Sequence, residues 1–102
     1  MATIQQGATP THKFKTKYPR DFVESAIVTY AQGGEIVLNK EGAELAIEDN
    51  AILVELTQEE TLKFDESRDV HIQVKVKARN GKVIPSNIIY ASVAEVLNRE
   101  VM

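Results

Sequence analysis

Polar and apolar residues alternate without interruption from Asp69 to Arg79, and the turn dipeptide Asn80-Gly81 follows. Because successive side chains of a β-strand point to opposite faces, this pattern predicts a strand with one buried and one solvated face. The predicted buried face comprises Val70, Ile72, Val74, Val76 and Ala78. The predicted solvated face comprises His71, Gln73, Lys75, Lys77 and Arg79. The chain is therefore expected to be a β-protein.

Shorter extended segments, separated by turn residues, surround this strand. Residues 12–18 alternate and stop at Pro19, which is typical of an edge strand. Residues 22–31 and 35–40 flank Gln32-Gly33-Gly34 and predict a hairpin, the first of its strands being apolar enough for burial on both sides. Residues 45–47 and 51–56 predict a second hairpin across a polar turn at 48–50. The last strand is expected over residues 87–93, after an interruption at Pro85.

One helical signal interrupts the strands. Thr57 and Glu60 have the spacing of a capping box, which predicts a helical turn to about Phe64, with Leu62 and Phe64 closing one end of the core. Beyond the last strand, the apolar residues have helical spacing, so a short C-terminal helix and a closing strand both stay open. These residues are Val93, Val96, Leu97 and Val101.

Short strands with turns every eight to twelve residues favour an all-β fold, an immunoglobulin-like antiparallel β-sandwich of about seven strands with one short helical turn. The small, polar residues 1–11 predict a flexible N-terminal arm, and residues 12–102 a single domain. Tyr30 and Tyr90 are assigned to its core. The apolar run 51–54 leaves open which of its faces is buried.

Composition narrows the function classes. The chain has 102 residues, no cysteine and a net charge of −3. Disulfides and thiolate–metal sites are excluded, and a nucleic-acid partner is disfavoured because such proteins usually carry a basic excess. The first residues lack the pattern of a secretion signal, and no segment is apolar enough to span a membrane.

Candidate catalytic groups are sparse. His12 and His71 have no neighbouring metal ligands or nucleophiles at a useful spacing, so both are interpreted as exposed strand residues. An acidic run could resemble a calcium loop but lacks the ordered ligand spacing, and it is interpreted as a solvated face. The run comprises Glu59, Glu60, Asp65, Glu66 and Asp69. Neither a phosphate-binding loop nor a nucleophile elbow occurs, so we expect no enzyme, cofactor or metal site.

A contact surface is the remaining candidate site. Lys75, Lys77 and Arg79 share the solvated face of their strand, near Lys82, where they can meet an acidic partner or guard against edge pairing. Tyr18 beside Pro19 is a further candidate contact. The possible partner surface is therefore Lys75, Lys77, Arg79 and Tyr18.

Four segments together resemble a known group of proteins: residues 28–32 (VTYAQ), 56–64 (LTQEETLKF), 72–76 (IQVKV) with Asn80-Gly81, and 86–93 (SNIIYASV). They resemble small proteins encoded by phages and prophages of Gram-positive bacteria, over about residues 10–102. The pattern is also similar to the immunoglobulin-like N-terminal domains of phage baseplate upper proteins. This resemblance implies synthesis in the bacterial cytoplasm and a place in the virion, as a tail or baseplate protein, and it implies no catalytic motif.

Two functions stay open at this point. The preferred one is a non-enzymatic structural or adaptor protein of a phage particle, which joins other phage proteins or copies of itself by edge-strand pairing or a sandwich face. The alternative is a cytoplasmic phage accessory protein that binds a host or phage partner, an acidic one if Lys75, Lys77 and Arg79 form the contact.

Overall fold

Nine β-strands in residues 2–102, the residues that the computed structural model describes, form two facing sheets. The strands are β1 (Ala2–Gln5), β2 (Thr11–Lys15), β3 (Val23–Gln32), β4 (Glu35–Glu41), β5 (Leu45–Glu48), β6 (Ala51–Glu55), β7 (Val70–Ala78), β8 (Val83–Pro85) and β9 (Ile89–Ala94). The larger sheet has the order β1-β9-β7-β3-β4, with β8 also on β7, and the smaller has the order β2-β6-β5. All pairs are antiparallel except β1 with β9. The all-β prediction is confirmed.

Strand β7 lies at the centre of the larger sheet and has the predicted facing. Its five apolar side chains are buried, and His71, Lys75 and Lys77 are exposed. On β3, Ala26, Val28 and Tyr30 are buried, but the opposite face is only partly covered, so burial on both sides is not reached. On β6 the open question is resolved, since Ile52 and Val54 are buried and Leu53 faces outward. The core therefore lies between the two sheets.

Both predicted hairpins form, and their turns use left-handed backbone. Gly33 and Gly34 join β3 to β4 with φ of 58° and 84°, a region in which glycine has no steric penalty. Asn50 joins β5 to β6 with φ of 61°, which asparagine tolerates better than most residues. Strand β2 ends the smaller sheet, so the predicted edge strand is confirmed.

The capping box also forms, at helix α1 (Gln58–Thr61). The amide of Glu60 donates to Thr57 Oγ1 at 3.2 Å, and the amide of Thr57 donates to Glu60 Oε1 at 2.9 Å. Phe64 is buried against the ring of Tyr30, whereas Leu62 is only partly covered. The helix is the only α-helix in residues 2–102, and no helix there is long and apolar enough to cross a membrane.

We expect Thr57→Ala to lower the free energy of unfolding by about 1 kcal/mol, because the Glu60 amide loses its side-chain acceptor. Urea denaturation measures the change, with Thr57→Ser as the matched control that keeps the hydroxyl. Equal denaturation midpoints for Thr57→Ala and the unchanged protein would contradict the role of the cap.

The prediction of a flexible N-terminal arm over residues 1–11 is wrong for the segment that forms β1. Residues 2–5 form β1, which pairs in parallel with Ala91–Ala94 of β9, and only Met1 lies outside the described residues. Ile4 is 2% exposed in the core. The adjoining Gln6 side chain is buried and donates to the Phe64 carbonyl at 2.7 Å. Ile4 is the only large apolar side chain in this segment, so the sequence showed no strand periodicity there. The segment forms a strand because the edge of β9 supplies partners for its backbone groups.

Neither the C-terminal helix nor the closing strand that the sequence left open forms beyond Ala94. Strand β9 lies between β1 and β7 in the larger sheet and ends at Ala94, and residues 95–102 form neither a helix nor a strand. Before it, Ser86 separates β8 from β9 while keeping the connection to β7. Its amide donates to the Val74 carbonyl at 2.7 Å, and its hydroxyl accepts from the Val74 amide at 3.0 Å. This interruption and the extra strand β1 explain why nine strands form where about seven were expected.

Two side chains face the opposite way from their prediction. His12 is half-buried and points inward with Phe14, because β2 turns that row of side chains toward the core. Tyr90 is 51% exposed, because the adjacent Ala91 is the residue of β9 that enters the core. Alternation separated the two rows correctly but did not reveal which row was inside.

Candidate functional site

The outer face of the larger sheet carries the predicted basic residues. Lys75, Lys77 and Arg79 are exposed there, since they alternate with the buried row of β7. Lys77 Nζ lies 3.3 Å from Glu24 Oε2, and Arg79 Nε donates to the Asp21 carbonyl at 2.6 Å. An exposed pair of this kind contributes only about 0–1 kcal/mol, so it orients the charge more than it stabilises the fold. The three cations form one exposed stripe, and two of them are held in place.

The same face carries an apolar row at its other end. The register places Ile36, Ala31, His71 and Tyr90 side by side across β4, β3, β7 and β9. Ile36 is 62% exposed, and the rings of His71 and Tyr90 meet edge to face with centroids 4.7 Å apart. We call these four residues the outer row. Exposed aromatic and branched side chains on an otherwise polar sheet are typical of contact surfaces.

Tyr18 does not join either group. It follows β2, stacks on Phe22 with ring centroids 5.0 Å apart, and packs against the core from the opposite side of the larger sheet. The predicted partner surface is therefore divided: Lys75, Lys77 and Arg79 share one face, and Tyr18 lines a groove elsewhere.

That groove has a volume of about 930 Å³ and runs between edge strand β2 and strands β8 and β9. Its floor is formed by the inward residues Ile72, Val74 and Val76 of β7. Ile84 and Ile89 line the wall on the β8–β9 side. The groove is thus an apolar channel between the edges of two sheets. We call it the edge groove.

Charge around the edge groove is one-sided. Lys13, Lys15 and Lys17 line it, and no aspartate or glutamate is among its lining residues, although the chain has fifteen acidic residues. A basic rim along an apolar channel favours an occupant that carries carboxylates. Among residues 2–102, no cluster of three or more histidine and carboxylate side chains has an arrangement that could hold a metal ion.

A buried ion pair lies at the other side of the sandwich. Lys40 Nζ contacts Glu60 Oε2 at 2.7 Å and Glu44 Oε2 at 3.5 Å, and the Lys40 side chain is 7% exposed. Burial acts to raise the pKa of Glu60, but hydrogen bonds from Lys40 and Thr57 outweigh it and hold that pKa below its ordinary value. Glu60 therefore accepts the Thr57 amide in the helix cap and also neutralises Lys40 of the edge strand β4.

A second internal polar pair consists of His12 and Tyr30, and burial shifts the pKa of both residues. His12 Nδ1 on β2 lies 2.7 Å from the Tyr30 hydroxyl on β3, between the two sheets. Burial lowers the pKa of His12, and burial together with the charge of Glu60 raises the pKa of Tyr30 above its ordinary value of 10.0. Both groups are neutral at neutral pH, and the hydrogen bond satisfies them inside the core.

Sequence reasoning missed two of these buried polar residues. Lys40 shares the alternation of Leu38 and so belonged to an inward row, but its carboxylate partners come from other elements. Gln6 joins three segments: its amide nitrogen donates to the Phe64 carbonyl, and its amide oxygen accepts from the Val96 amide and Arg99. Nothing in the sequence around Gln6 signals this role.

Comparison with known proteins gives a fold. No protein-family model matches the chain, and no curated protein matches it. Among solved structures, it is similar to the immunoglobulin-like domain of mouse leukocyte-associated immunoglobulin-like receptor 1, solved as a strand-swapped dimer, with 14% identity and a TM-score of 0.51 over 90% of this chain and 85% of that chain. The V domain of amphioxus IgVJ-C2 has 17% identity and a TM-score of 0.38 over 90% of this chain and 98% of that chain. The two facing sheets and the likeness to the mouse receptor domain together establish that this chain has an immunoglobulin-like fold.

Proposed function

We propose that the chain is a non-enzymatic structural or adaptor protein of a phage particle, associated with its tail or baseplate, and that it acts through contacts with other phage structural proteins or with further copies of itself. The observation that carries the protein-contact role is the outer row. Ile36 and Tyr90 expose more than half of their surface on a paired, ordered sheet, where a partner can bury them without rearranging the backbone. The particle assignment rests on the sequence resemblance.

A strand-swapped dimer of the mouse receptor domain supports self-association as one mode for a sandwich of this architecture. Four edge strands are available here, since β1 and β4 end the larger sheet and β2 and β5 end the smaller. Edge strands present unpaired backbone groups that another chain can use.

Mass spectrometry of purified particles tests the particle role. We expect peptides of this chain in washed virions at a fixed ratio to a tail protein. Detection only in the lysate of infected cells, with none in the particles, would contradict a virion role.

If the outer row is the contact surface, a substitution within it should weaken partner binding without destabilising the fold. We expect Tyr90→Ser to weaken partner binding at least about tenfold, because aromatic side chains dominate contact energies, while the free energy of unfolding changes by less than about 0.5 kcal/mol. Leu97→Ser is the matched control, because Leu97 is as apolar and still more exposed but lies beyond β9. Pull-down from the particle lysate with each variant measures the effect. Equal recovery by both variants would remove the outer row as the contact.

A second candidate function is a cytoplasmic accessory protein that binds an acidic host or phage partner. The observation that favours it is the exposed stripe of Lys75, Lys77 and Arg79. Binding through that stripe is expected to weaken as salt rises, since exposed charges are screened. Presence in the cytoplasmic lysate together with absence from particles supports this candidate over the first.

A further inference from the structure

We propose that the edge groove accepts an extended segment of a partner protein, in which acidic and apolar residues alternate, and that this segment adds as a new strand beside β2. The inference rests on the proposed role as a protein-binding module and names the chemistry of one partner. Strand addition of this kind takes its affinity from backbone hydrogen bonds and its specificity from alternate side chains.

The backbone of β2 is arranged for such a strand. The Thr16 amide donates to the Asn50 carbonyl, and the Leu56 amide donates to the Pro10 carbonyl, both across the pair with β6. Hydrogen-bonded and non-hydrogen-bonded residues alternate in an antiparallel pair, so His12 and Phe14 also turn their backbone groups toward β6. The amides and carbonyls of Thr11, Lys13 and Lys15 consequently point away from β6, toward the free edge.

The architecture also has a place for the added strand. In constant-type immunoglobulin domains, one sheet has the strand order A-B-E-D. Here the order β2-β6-β5 corresponds to B-E-D, and the first strand, β1, pairs instead with β9 of the larger sheet. Within residues 2–102, the position beside β2 that strand A takes in such domains is therefore not filled by this chain. The edge groove lies at this position.

The side chains of β2 define the sequence pattern of the ligand. Directly opposed residues of two antiparallel strands share one face of the sheet. Residues opposite Lys13 and Lys15 would lie on the exposed face, where carboxylates pair with the lysines. Residues opposite His12 and Phe14 would point into the groove, where apolar side chains meet the floor of β7. Lysine on an edge also discourages indiscriminate pairing, so the same residues select an acidic strand.

The probe is a capped synthetic peptide that alternates glutamate with valine, titrated into the full chain and followed by amide NMR. We expect saturable binding, and slower hydrogen exchange at the Lys13 and Lys15 amides, by about tenfold or more, because these amides gain partners. The His12 and Phe14 amides, already paired with β6, are expected to keep their rates. A peptide that alternates lysine with valine is the charge control and is expected not to bind.

The matched protein variants are Lys13→Glu/Lys15→Glu and Lys75→Glu/Lys77→Glu, which make equal charge changes on different sheets. We expect the first to weaken peptide binding about tenfold at low salt and the second to leave it within about twofold, since the interaction is local and screened beyond about 10 Å. Lys13→Pro compared with Lys13→Ala isolates the backbone contribution, because both variants lose the lysine charge and only the proline also loses an edge amide that is not bonded to β6. We expect Lys13→Pro to bind the peptide more weakly than Lys13→Ala.

Three results would overturn the inference: no binding of the acidic peptide, binding without protection of the Lys13 and Lys15 amides, or a dimer in which a second copy fills the groove and excludes the peptide. These results leave the broader proposal intact if Tyr90→Ser still weakens partner binding in the pull-down. Conversely, absence of the chain from particles, together with normal peptide binding, removes the particle role and keeps the edge groove as a strand-binding site.

Discussion

Val74→Asp is expected to leave the protein unfolded. Val74 is 4% exposed at the centre of the core and lies opposite Val28 in the pairing of β7 with β3. The other inward residues of β7 are apolar, and Lys40, which lies opposite Val28 on the next strand, is already paired with Glu60. A carboxylate at position 74 therefore lacks a free counter-charge, and burying an unpaired charge costs several kcal/mol, a large part of the about 5–15 kcal/mol that stabilises a domain. Far-ultraviolet circular dichroism and dispersion of amide NMR signals measure the outcome.

Lys75→Asp is the control for that variant, since it introduces the same side chain one residue along the strand. Lys75 is exposed on the outer face, so its replacement is expected to change the free energy of unfolding by about 1 kcal/mol or less. Similar behaviour of the two variants would show that the assigned facing of β7 is wrong.

Lys40→Ala is expected to lower the free energy of unfolding by about 3 kcal/mol, since removing one partner of a buried ion pair leaves the other charge unpaired. The value is at the lower end of the range for buried pairs because the Glu60 side chain keeps 19% exposure. The lost contacts of the lysine stem add to the effect. Urea denaturation at neutral pH measures it.

The effect of Lys40→Ala is expected to depend on pH in one direction. The folded protein holds the pKa of Glu60 below its ordinary value of 4.5, so the stability that ionised Glu60 contributes is complete above pH 4.5 and is lost as the pH falls through the folded-state pKa. The difference between the unchanged protein and Lys40→Ala therefore narrows on acidification. A difference that stays constant or widens below pH 4.5 would contradict the ion pair as its cause.

Lys40→Met/Glu60→Gln is the matched control for the ion pair. It keeps similar side-chain volumes and removes both charges, so it is expected to cost less than Lys40→Ala. A double-mutant cycle compares the unchanged protein, Lys40→Met, Glu60→Gln and the double variant. It measures the coupling energy between Lys40 and Glu60, which is expected to be about 1–3 kcal/mol for residues in direct contact.

The sequence predicted the basic stripe but neither the outer row nor the edge groove. The stripe of Lys75, Lys77 and Arg79 lies within one strand, so alternation alone assigned its common face. The outer row joins residues of four strands, and the edge groove joins strands of two sheets. Neither is visible without register and packing, because adjacency between strands does not follow from sequence order.

Local signals were sufficient for elements whose interactions lie close together in the chain. The strict alternation from Asp69 to Arg79, the two hairpin turns and the capping box of Thr57 and Glu60 each involve neighbours in sequence, and all of them form as expected. Together they predicted the all-β fold, since period-two patterning leaves little else to build.

Long-range partners settled the remaining features. Residues 2–5 became a strand because β9, almost ninety residues away, offers a free edge, and Lys40 became buried because Glu60 supplies its counter-charge. Tyr90 faces outward because the pairing of β7 with β9 places it opposite the exposed His71, while Ala91 lies opposite the buried Val70 in the core. In each case the free energy of the observed arrangement depends on a backbone or charge partner that only folding brings into contact. The residue's own type and its sequence neighbours do not identify that partner.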